Sequence, residues 1–486
     1  MKLTKSLFIE YIDSPLHMWL KSRSEVTPKP ISVYDQHIMK QGYEIEKLAK
    51  EYLEKKVARE YPVGTTISFE ETLTDGNYQS RIDALVHDTT NNTYDLYEIK
   101  SSTSIHTEHK YDVTFQHLVA KASLPVNKTY LVRVNSDYRR EGEIDLNQLF
   151  IIEDMEHEIA KREDEVYELR SDAWPTLRLE TMPADEHCFN PGTCSYPAIC
   201  FPNLPDYPIY DLSRGSKKQY RELIDMGIQS VKDIPDPFKL TSKQKAQIQS
   251  ARSGQPIIKH EAIKKQLDSL EYPLYFLDYE TYAEALPMYD HYGPYQQITT
   301  QFSIHVAESS DSEDSKHYEF LAREKNDPAP ELAKALCDVI GETGTIIVWN
   351  KGFECGRNEE LAVLVPEYAE QLASINKRTF DLMEIFSKGL YVDYQFHGSA
   401  SIKKVLPILA PKLSYKTLEI GEGATAMIKW REMVYGDMTD EERDAIANNL
   451  LTYCKLDTWA MVEIWRELKR TVLEKSQMSE DLSQQV

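Results

Sequence analysis

Three groups of residues have types and spacings that could do chemistry. Asp83 lies in SRIDALVH, and Glu98 and Lys100 lie in YDLYEIK. Both segments read as strands. Residues at i and i+2 of a strand point to one face, so Glu98 and Lys100 share a face, and an antiparallel neighbour would bring Asp83 beside them. Two carboxylates are a seat for Mg²⁺ or Mn²⁺, and a nearby lysine can orient or deprotonate a water. Further along, Asp278 and Glu280 end the apolar run of LYFLDYETY, while Tyr453 and Asp457 occur in LLTYCKLDTWAM. Positions i and i+4 share one helix face. Between them lies TIIVWNKGFECGRNEEL with Asn350, Phe353 and Glu354, and Asp381 follows in RTFDLMEIF. The third group is Cys188, Cys194 and Cys200, spaced C-x5-C-x5-C in HCFNPGTCSYPAIC.

The elements that must position these residues are α/β in pattern. Helices are expected from Lys5 to Ser22, from Tyr34 to Tyr61 and around 111–123. Strands are expected at TTISFEETL, SRIDALVH and TYDLYEIK, punctuated by Asp75-Gly76-Asn77 and Asn91-Asn92. The acidic run Glu153 to Glu168 reads as a solvated helix. A second α/β stretch begins with LYFLDYETY, which ITTQFSIHVAE would pair with, and ends in a helix from about Glu441 to Leu473. The expected division is 1–175, a connector at 176–265, 266–475 and a polar, frayed tail at 476–486.

Asp-x14-Glu-x-Lys resembles the PD-(D/E)xK nuclease signature, in its RecB-like branch. Glu44 in QGYEIEKLAKEYL matches that branch's acidic residue on the first helix, and Gln116 matches its trailing glutamine. Ile82 stands where the motif name has proline. The order Asp-x-Glu, Asn-x-x-Phe-Glu, Tyr-x-x-x-Asp resembles the DnaQ-like exonucleases of the tyrosine subclass of the DEDD group. That resemblance implies that Asp278, Glu280, Glu354 and Asp457 hold two divalent ions and that Tyr453 positions water. Glu354 stands where that group has aspartate, and Asp381 ranks behind it as a ligand. Nearly the whole chain resembles an uncharacterised bacterial family that fuses the two. The implied fold is a restriction-endonuclease-like N-terminal domain and a ribonuclease H-like (DnaQ-type) C-terminal domain joined by a helical connector. The implied activity is that of a metal-dependent nuclease with two sites, acting on DNA ahead of RNA, in repair, recombination or defence. The alternative is a nucleic-acid-binding scaffold with one or both sites inactive, which Glu354 and Ser14 favour.

RecB-like nucleases often carry a [4Fe–4S] cluster that joins a cysteine triplet to an N-terminal cysteine before a run such as SPLHMWL. Here that position is Ser14. With Ser14, Asp13 or His187 as a fourth donor, the resemblance leaves a [4Fe–4S] cluster, a zinc ion and bare thiols open. The connector YDLSRGSKKQYRELIDMGIQSVKDIP resembles a helix-hairpin-helix element with its turn at Met226-Gly227-Ile228. In such an element Arg214, Lys217, Lys218 and Arg221 would contact a nucleic-acid backbone.

The chain has 486 residues, 41% hydrophobic, with a formal charge of −23. Net acidity is unusual for a nucleic-acid binder. Locally the balance reverses: Arg214 to Lys259 holds ten Lys/Arg against four Asp/Glu, a net of +6. No apolar run is long enough to span a membrane. Glu10 and Asp13 interrupt the first apolar run, so no signal peptide is expected. Six cysteines are too few for a disulfide scaffold, and a cytoplasmic protein is expected.

Overall fold

The structure is a computed structural model that describes residues 1–23, 26–184, 188–309 and 315–484, with backbone alone at 417 and 474–484. His187 therefore lies outside the described residues. The chain divides into two units, Met1–Pro202 with Glu284–Gln296, and Asn203–Ala283 with Gln297–Val486. Thus 176–202, including the cysteine triplet, belong to the first unit, and 203–265 belong to the second.

The first unit is a mixed α/β body. Its strands are Leu3–Thr4 (β1), Thr66–Asp75 (β2), Tyr78–Asp88 (β3), Thr93–Lys100 (β4), Val126–Val134 (β5) and Phe150–Asp154 (β6), in the order β1-β3-β4-β5-β6 with β2 also on β3. The β2–β3 turn has Gly76 at φ 53°, a conformation open to glycine at little steric cost. β3 and β4 run antiparallel with Ala84 opposite Tyr97, so the next positions along are Asp83 and Glu98. β4 and β5 are parallel. The helix Val33–Glu60 buries Ile45, Ala49, Tyr52, Leu53 and Val57 against Ala84, Val86, Tyr97 and Ile99 of the sheet. That spacing is the apolar stripe of an amphipathic helix, and its buried Ile, Leu and Val side chains contribute roughly 1.5–3 kcal/mol each.

Two sequence expectations change here. The N-terminal helix is two, Lys5–Asp13 and Pro15–Arg23. Pro15 disfavours helical geometry at the residue before it, and Ser14 is extended at φ −156°, ψ 120°. The acidic run is not one helix either. Its start forms the end of β6, and the rest divides between helices Glu156–Ala160 and Glu163–Leu177.

The second unit holds a small antiparallel pair, Ile257–Ile258 (β7) with Tyr391–Val392 (β13), and a five-stranded sheet. The sheet strands are Leu274–Tyr282 (β8), Ile298–Ala307 (β9), Lys316–Leu321 (β10), Thr345–Val348 (β11) and Thr379–Asp381 (β12). Their order is β10-β9-β8-β11-β12, antiparallel up to β8 and parallel beyond it. Alternation along β8 sorts its side chains. Tyr275, Leu277 and Tyr279 pack with Leu332, Ala333 and Leu336 of the helix Ala329–Val339. Leu274 and Phe276 join Ala460, Met461, Ile464 and Trp465 of the C-terminal helix Asp440–Gln484. By the same alternation Asp278 and Glu280 face the side of that C-terminal helix. The helix runs past the expected end at Leu473, so the backbone of the polar tail is helical to Gln484. Among the described residues, no helix is long and apolar enough to cross a membrane.

The connector is also partly redrawn. The helix Lys217–Asp225 closes at Met226-Gly227-Ile228 with Gly227 at φ 73°, and the Ile228 N–H donates back to the Leu223 carbonyl at 2.9 Å. The turn is where the sequence puts it, but the next α-helix begins only at Ser242. Arg214, Lys217, Lys218 and Arg221 are all exposed.

Candidate active sites

In the first unit the structure brings Asp83, Glu98, Lys100 and Gln116 together and adds two residues that the sequence did not single out. Glu98, on β4, is buried. It accepts from Lys100 Nζ at 2.6 Å, from Lys5 Nζ at 2.7 Å and from Gln116 Nε2 at 2.6 Å. Asp112 and Gln116 are i and i+4 on the helix Thr107–Lys121, and Gln116 Nε2 also donates to Asp112 Oδ1 at 2.9 Å. Lys100 spans the two acids, reaching Asp112 Oδ2 at 2.6 Å. Asp83 Oδ2 accepts the Ile99 N–H at 2.9 Å.

The charges explain the protonation states. Burial alone would raise the Glu98 carboxyl, but Lys100 and Lys5 outweigh it and hold Glu98 far below the carboxylate range. Asp83, with no lysine in contact, is pushed up to about 8 by burial and by the Glu98 charge. Burial, then Glu98, also raises Asp112. Lys100 stays above its ordinary value because Glu98 and Asp112 overcome its desolvation.

Glu44 is the exception among the expected residues. It is exposed on the helix Val33–Glu60, and no hydrogen bond or ion pair of the described residues joins it to this cluster. The second acid that closes over Glu98 is Asp112. A signal for it was present, since Asp112 stands one helical turn before Gln116. Lys5 had none, being 93 residues from Glu98.

In the second unit Asp278, Glu280, Glu354 and Asp457 lie close enough for their charges to act on one another. Asp278 and Glu280 are half-buried on β8, Glu354 is buried in the first turn of the helix Lys351–Leu364, and Asp457 is buried on the C-terminal helix. Asn350, which precedes the Glu354 helix, has φ 120°, a strained value for a residue with a Cβ. Burial, then the mutual charges, raises Asp278, Glu280 and Glu354 well above the carboxylate range. Asp457 rises only to about 6, because burial is opposed by the Tyr415 hydroxyl and by Lys403.

Tyr415 Oη donates to Asp457 Oδ1 at 2.6 Å. The other oxygen of that carboxylate, Oδ2, and Oε2 of Glu354 are buried without a hydrogen-bond partner among the described residues. Buried carboxyl oxygens without a partner are costly, and two of them beside two more carboxyl groups fit a site built for cations. Ligand atoms of Asp278, Glu280 and Cys454 lie within 4.8 Å of one another. Cys454 Sγ is 3.7 Å from Asp278 Oδ2. Tyr453 sits one turn before Asp457, and its ring and that of Tyr415 are 6.2 Å apart. Lys403 Nζ lies 5.7 Å from the Tyr415 ring centre and 5.6 Å from that of Tyr453. A Cβ at Gly423 would be 3.8 Å from Glu280 Oε2 and 3.9 Å from Tyr453 Oη, so both groups face that glycine.

Asp381 is not among the converging acids. Its oxygens accept the Lys351 and Met383 amides, both at 3.0 Å, which makes it the brace of the loop before Glu354. Tyr415, Lys403 and Cys454 were missed at the level of sequence. Tyr415 lies in the run HGSASIKKVLPILAPKLSYKTLEI, where nothing in the spacing marks it.

The cysteine triplet belongs with an unforeseen partner. Cys188, Cys194, Cys200 and His17 place one ligand atom each within 4.8 Å of the others. Ser14, the position expected to supply the fourth donor, lies three residues before His17. Its hydroxyl accepts the His17 N–H at 3.1 Å and so caps the helix that carries His17.

Comparison with known proteins adds the following. Residues 275–401 match the model of a family described as a domain of unknown function (DUF2779). The matched stretch holds Asp278, Glu280 and Glu354 and ends before Tyr453 and Asp457. The chain is 30% identical over 218 residues to "Uncharacterized protein UU173" of Ureaplasma parvum, an alignment covering 40% of this chain and 31% of that protein. It is 30% identical over 207 residues to "Uncharacterized protein MG366 homolog" of Mycoplasma pneumoniae, covering 39% of this chain and 31% of the relative. The chain therefore spans about a third of the length of these relatives. Among solved structures, an alkaline exonuclease (LHK-Exo) from Laribacter hongkongensis aligns with 36% of this chain and 89% of its own, at 15% identity and a TM-score of 0.24. A likeness at that score carries no argument.

Proposed function

We propose that this chain is a metal-dependent nuclease with two active sites that hydrolyses phosphodiester bonds, in DNA ahead of RNA. The observation that carries the reading is the group of four carboxylates in the second unit, two of them with buried oxygens that find no hydrogen-bond partner among the described residues. Such a group repels phosphate until cations neutralise it, and so has a use where a phosphate must be held. The mixed sheet, with Asp278 and Glu280 on its central strand and Asp457 on the helix packed over it, supports a ribonuclease H-like site of the DnaQ type. Asp278, Glu280, Glu354 and Asp457 would hold Mg²⁺ or Mn²⁺. Bound divalent ions would offset phosphate charge and lower the pKa of water. Tyr415 braces Asp457 through its hydrogen bond to Oδ1 and leaves Oδ2 without a partner among the described residues. Tyr453, next to Glu280 around Gly423, is placed to orient a water.

The first unit supports a second, RecB-like site. Asp83 and Glu98 would hold a divalent ion, with Asp112 in the place expected for Glu44. Lys100 is anchored between Glu98 and Asp112, and a lysine so held can orient a water beside the phosphate. Gln116 holds both acids in register. The exposed Arg214, Lys217, Lys218 and Arg221 are proposed as backbone contacts.

The test is degradation of 3′-labelled and 5′-labelled oligonucleotides with Mg²⁺ or Mn²⁺ by the Lys100→Ala variant. Release of the 3′ label first, abolished by Asp278→Ala, is expected of a 3′→5′ exonuclease site in the second unit. Degradation that is indifferent to Asp278→Ala sinks the assignment.

A further inference from the structure

The spacing of Cys188, Cys194 and Cys200 leaves an iron–sulfur cluster, a zinc ion and bare thiols open. The geometry narrows the choice. His17 Nε2 lies 3.3 Å from Cys200 Sγ and 3.4 Å from Cys194 Sγ. With Zn–S near 2.3 Å and Zn–N near 2.0–2.1 Å, tetrahedral ligation puts sulfur and nitrogen about 3.5 Å apart and two sulfurs about 3.8 Å apart. All four donor atoms here lie within 4.8 Å of one another. A [4Fe–4S] cluster instead binds its thiolates on separate irons at the corners of a cube, which spreads the sulfurs wider. His17 and Cys194 are buried, and the Tyr196 N–H donates to Cys194 Sγ at 3.3 Å, as backbone amides do for metal-bound thiolates.

We propose that His17, Cys188, Cys194 and Cys200 form a site of three thiolates and one imidazole for a single zinc ion. Binding takes the thiols as thiolates and His17 with Nε2 unprotonated, so protons leave to solvent as the ion enters. His17 is 177 residues from Cys194 and 183 from Cys200, so the ion closes a very long loop, where a clip removes the most chain entropy from the unfolded state. It ties the helix Pro15–Arg23 to the segment at 188–200. The preceding helix, Lys5–Asp13, carries the lysine that reaches Glu98, so the clip also steadies that contact. The proposal does not depend on the nuclease reading, because its readout is the metal itself.

The test is elemental analysis of the full chain purified without added chelator, together with Co²⁺ exchange. About one zinc per chain, lost in Cys194→Ser and in His17→Ala but kept in His17→Cys, is the expected result. The Co²⁺-exchanged parent should show the strong thiolate charge-transfer and tetrahedral d–d bands of cobalt held by three sulfurs and one nitrogen, which carboxylate sites do not give. This spectrum decides the matter if the variants fail to fold. Iron with matching acid-labile sulfide, absence of thiolate bands in the Co²⁺ protein, or zinc content unchanged in His17→Ala would each overturn the proposal.

Discussion

The two carboxylate groups of this molecule solve the same electrostatic problem in opposite ways. In the first unit, Glu98 is buried against two lysines and a glutamine, so its charge is met by the chain itself. In the second, four carboxylates gather with no lysine or arginine in hydrogen-bond contact among the described residues, and two oxygens stay unsatisfied. The protonation states follow: Glu98 lies far below the usual range, whereas Asp278, Glu280 and Glu354 lie well above it. A buried carboxylate is stable only when paired, protonated or bound to metal. In the first site Glu98 is paired, while burial and its charge raise Asp83 and Asp112. In the second all four carboxyls are raised, so a bound cation would take the place of protons. A cation entering the first site must displace Lys5 or share Glu98 with it, whereas a cation entering the second displaces protons.

The largest effect that would separate the sites is loss of a ligand in the second. Asp278→Ala should lower 3′-end degradation by about a thousandfold or more, since the ions it would help hold would carry most of the charge stabilisation. A drop under about tenfold, with Lys100→Ala as background, would break the comparison by moving the activity elsewhere. Next in size is Lys100→Ala in an Asp278→Ala background. Loss of a positioned lysine should lower the remaining cleavage by about 100-fold. Glu98 keeps Lys5 and Gln116 as partners, so the far-ultraviolet circular dichroism should be unchanged. Unaltered cleavage would show that Lys5 or another group does this work.

How much of this was legible in sequence also differs between the sites. β8 and its pairing to β9 were readable because a run of apolar residues ending in Asp-x-Glu has strand periodicity, and Tyr453 and Asp457 declare a helix face by spacing alone. Glu98, Lys100 and Gln116 were readable for the same local reasons. Lys5, His17 and Tyr415 were not, because each reaches its partners through tertiary contact between positions far apart in the chain, and a lone Lys, His or Tyr carries no periodic signal. Glu44 failed for the complementary reason. Its place in a helical pattern fixed the helix but not which face of it would meet the sheet, and the buried stripe of Ile45, Ala49 and Leu53 turned Glu44 outward. The break at Ser14 was written in the proline that follows it. The split of the acidic run at 153–168 was not, since charge composition says little about where a strand stops.

A smaller effect sharpens the role of the two tyrosines. Tyr453→Phe removes the hydroxyl proposed to orient a water, a loss on the order of 1–3 kcal/mol or about 10- to 100-fold in rate. Tyr415→Phe removes the brace on Asp457 and should act mainly through weaker metal binding. Raising Mg²⁺ should therefore restore Tyr415→Phe more than Tyr453→Phe. Equal recovery of both in an Mg²⁺ titration of the rate would show that the two hydroxyls have one role.

The smallest effect is thermodynamic and follows from the sign of the shifts. Asp457 titrates near 6 in the folded, metal-free protein, against about 3.9 in an unfolded chain. Between those values the folded state binds more protons, so stability that is fully present below the lower value is lost as pH rises through the upper one. Asp278, Glu280 and Glu354 are raised further and extend the loss above it. Glu98 has the opposite shift, and its contribution is lost only as pH falls below about 4.3, the unfolded value. The lowered His109, His117, His305 and His317 oppose this fall below about 6.5, the unfolded histidine value, so the metal-free parent should melt a few degrees lower at about pH 8 than at about pH 7, and Mg²⁺ should recover the difference at the higher pH only. Asp83 in the first unit shares the sign, so the measurement that isolates the second site is the comparison with Asp278→Asn. That variant removes one of the repelling charges and should show a shallower fall and a smaller gain from Mg²⁺. Equal slopes for parent and variant in differential scanning fluorimetry would mean that the four carboxylates are not electrostatically strained, and the contrast between the two sites would fail at its root.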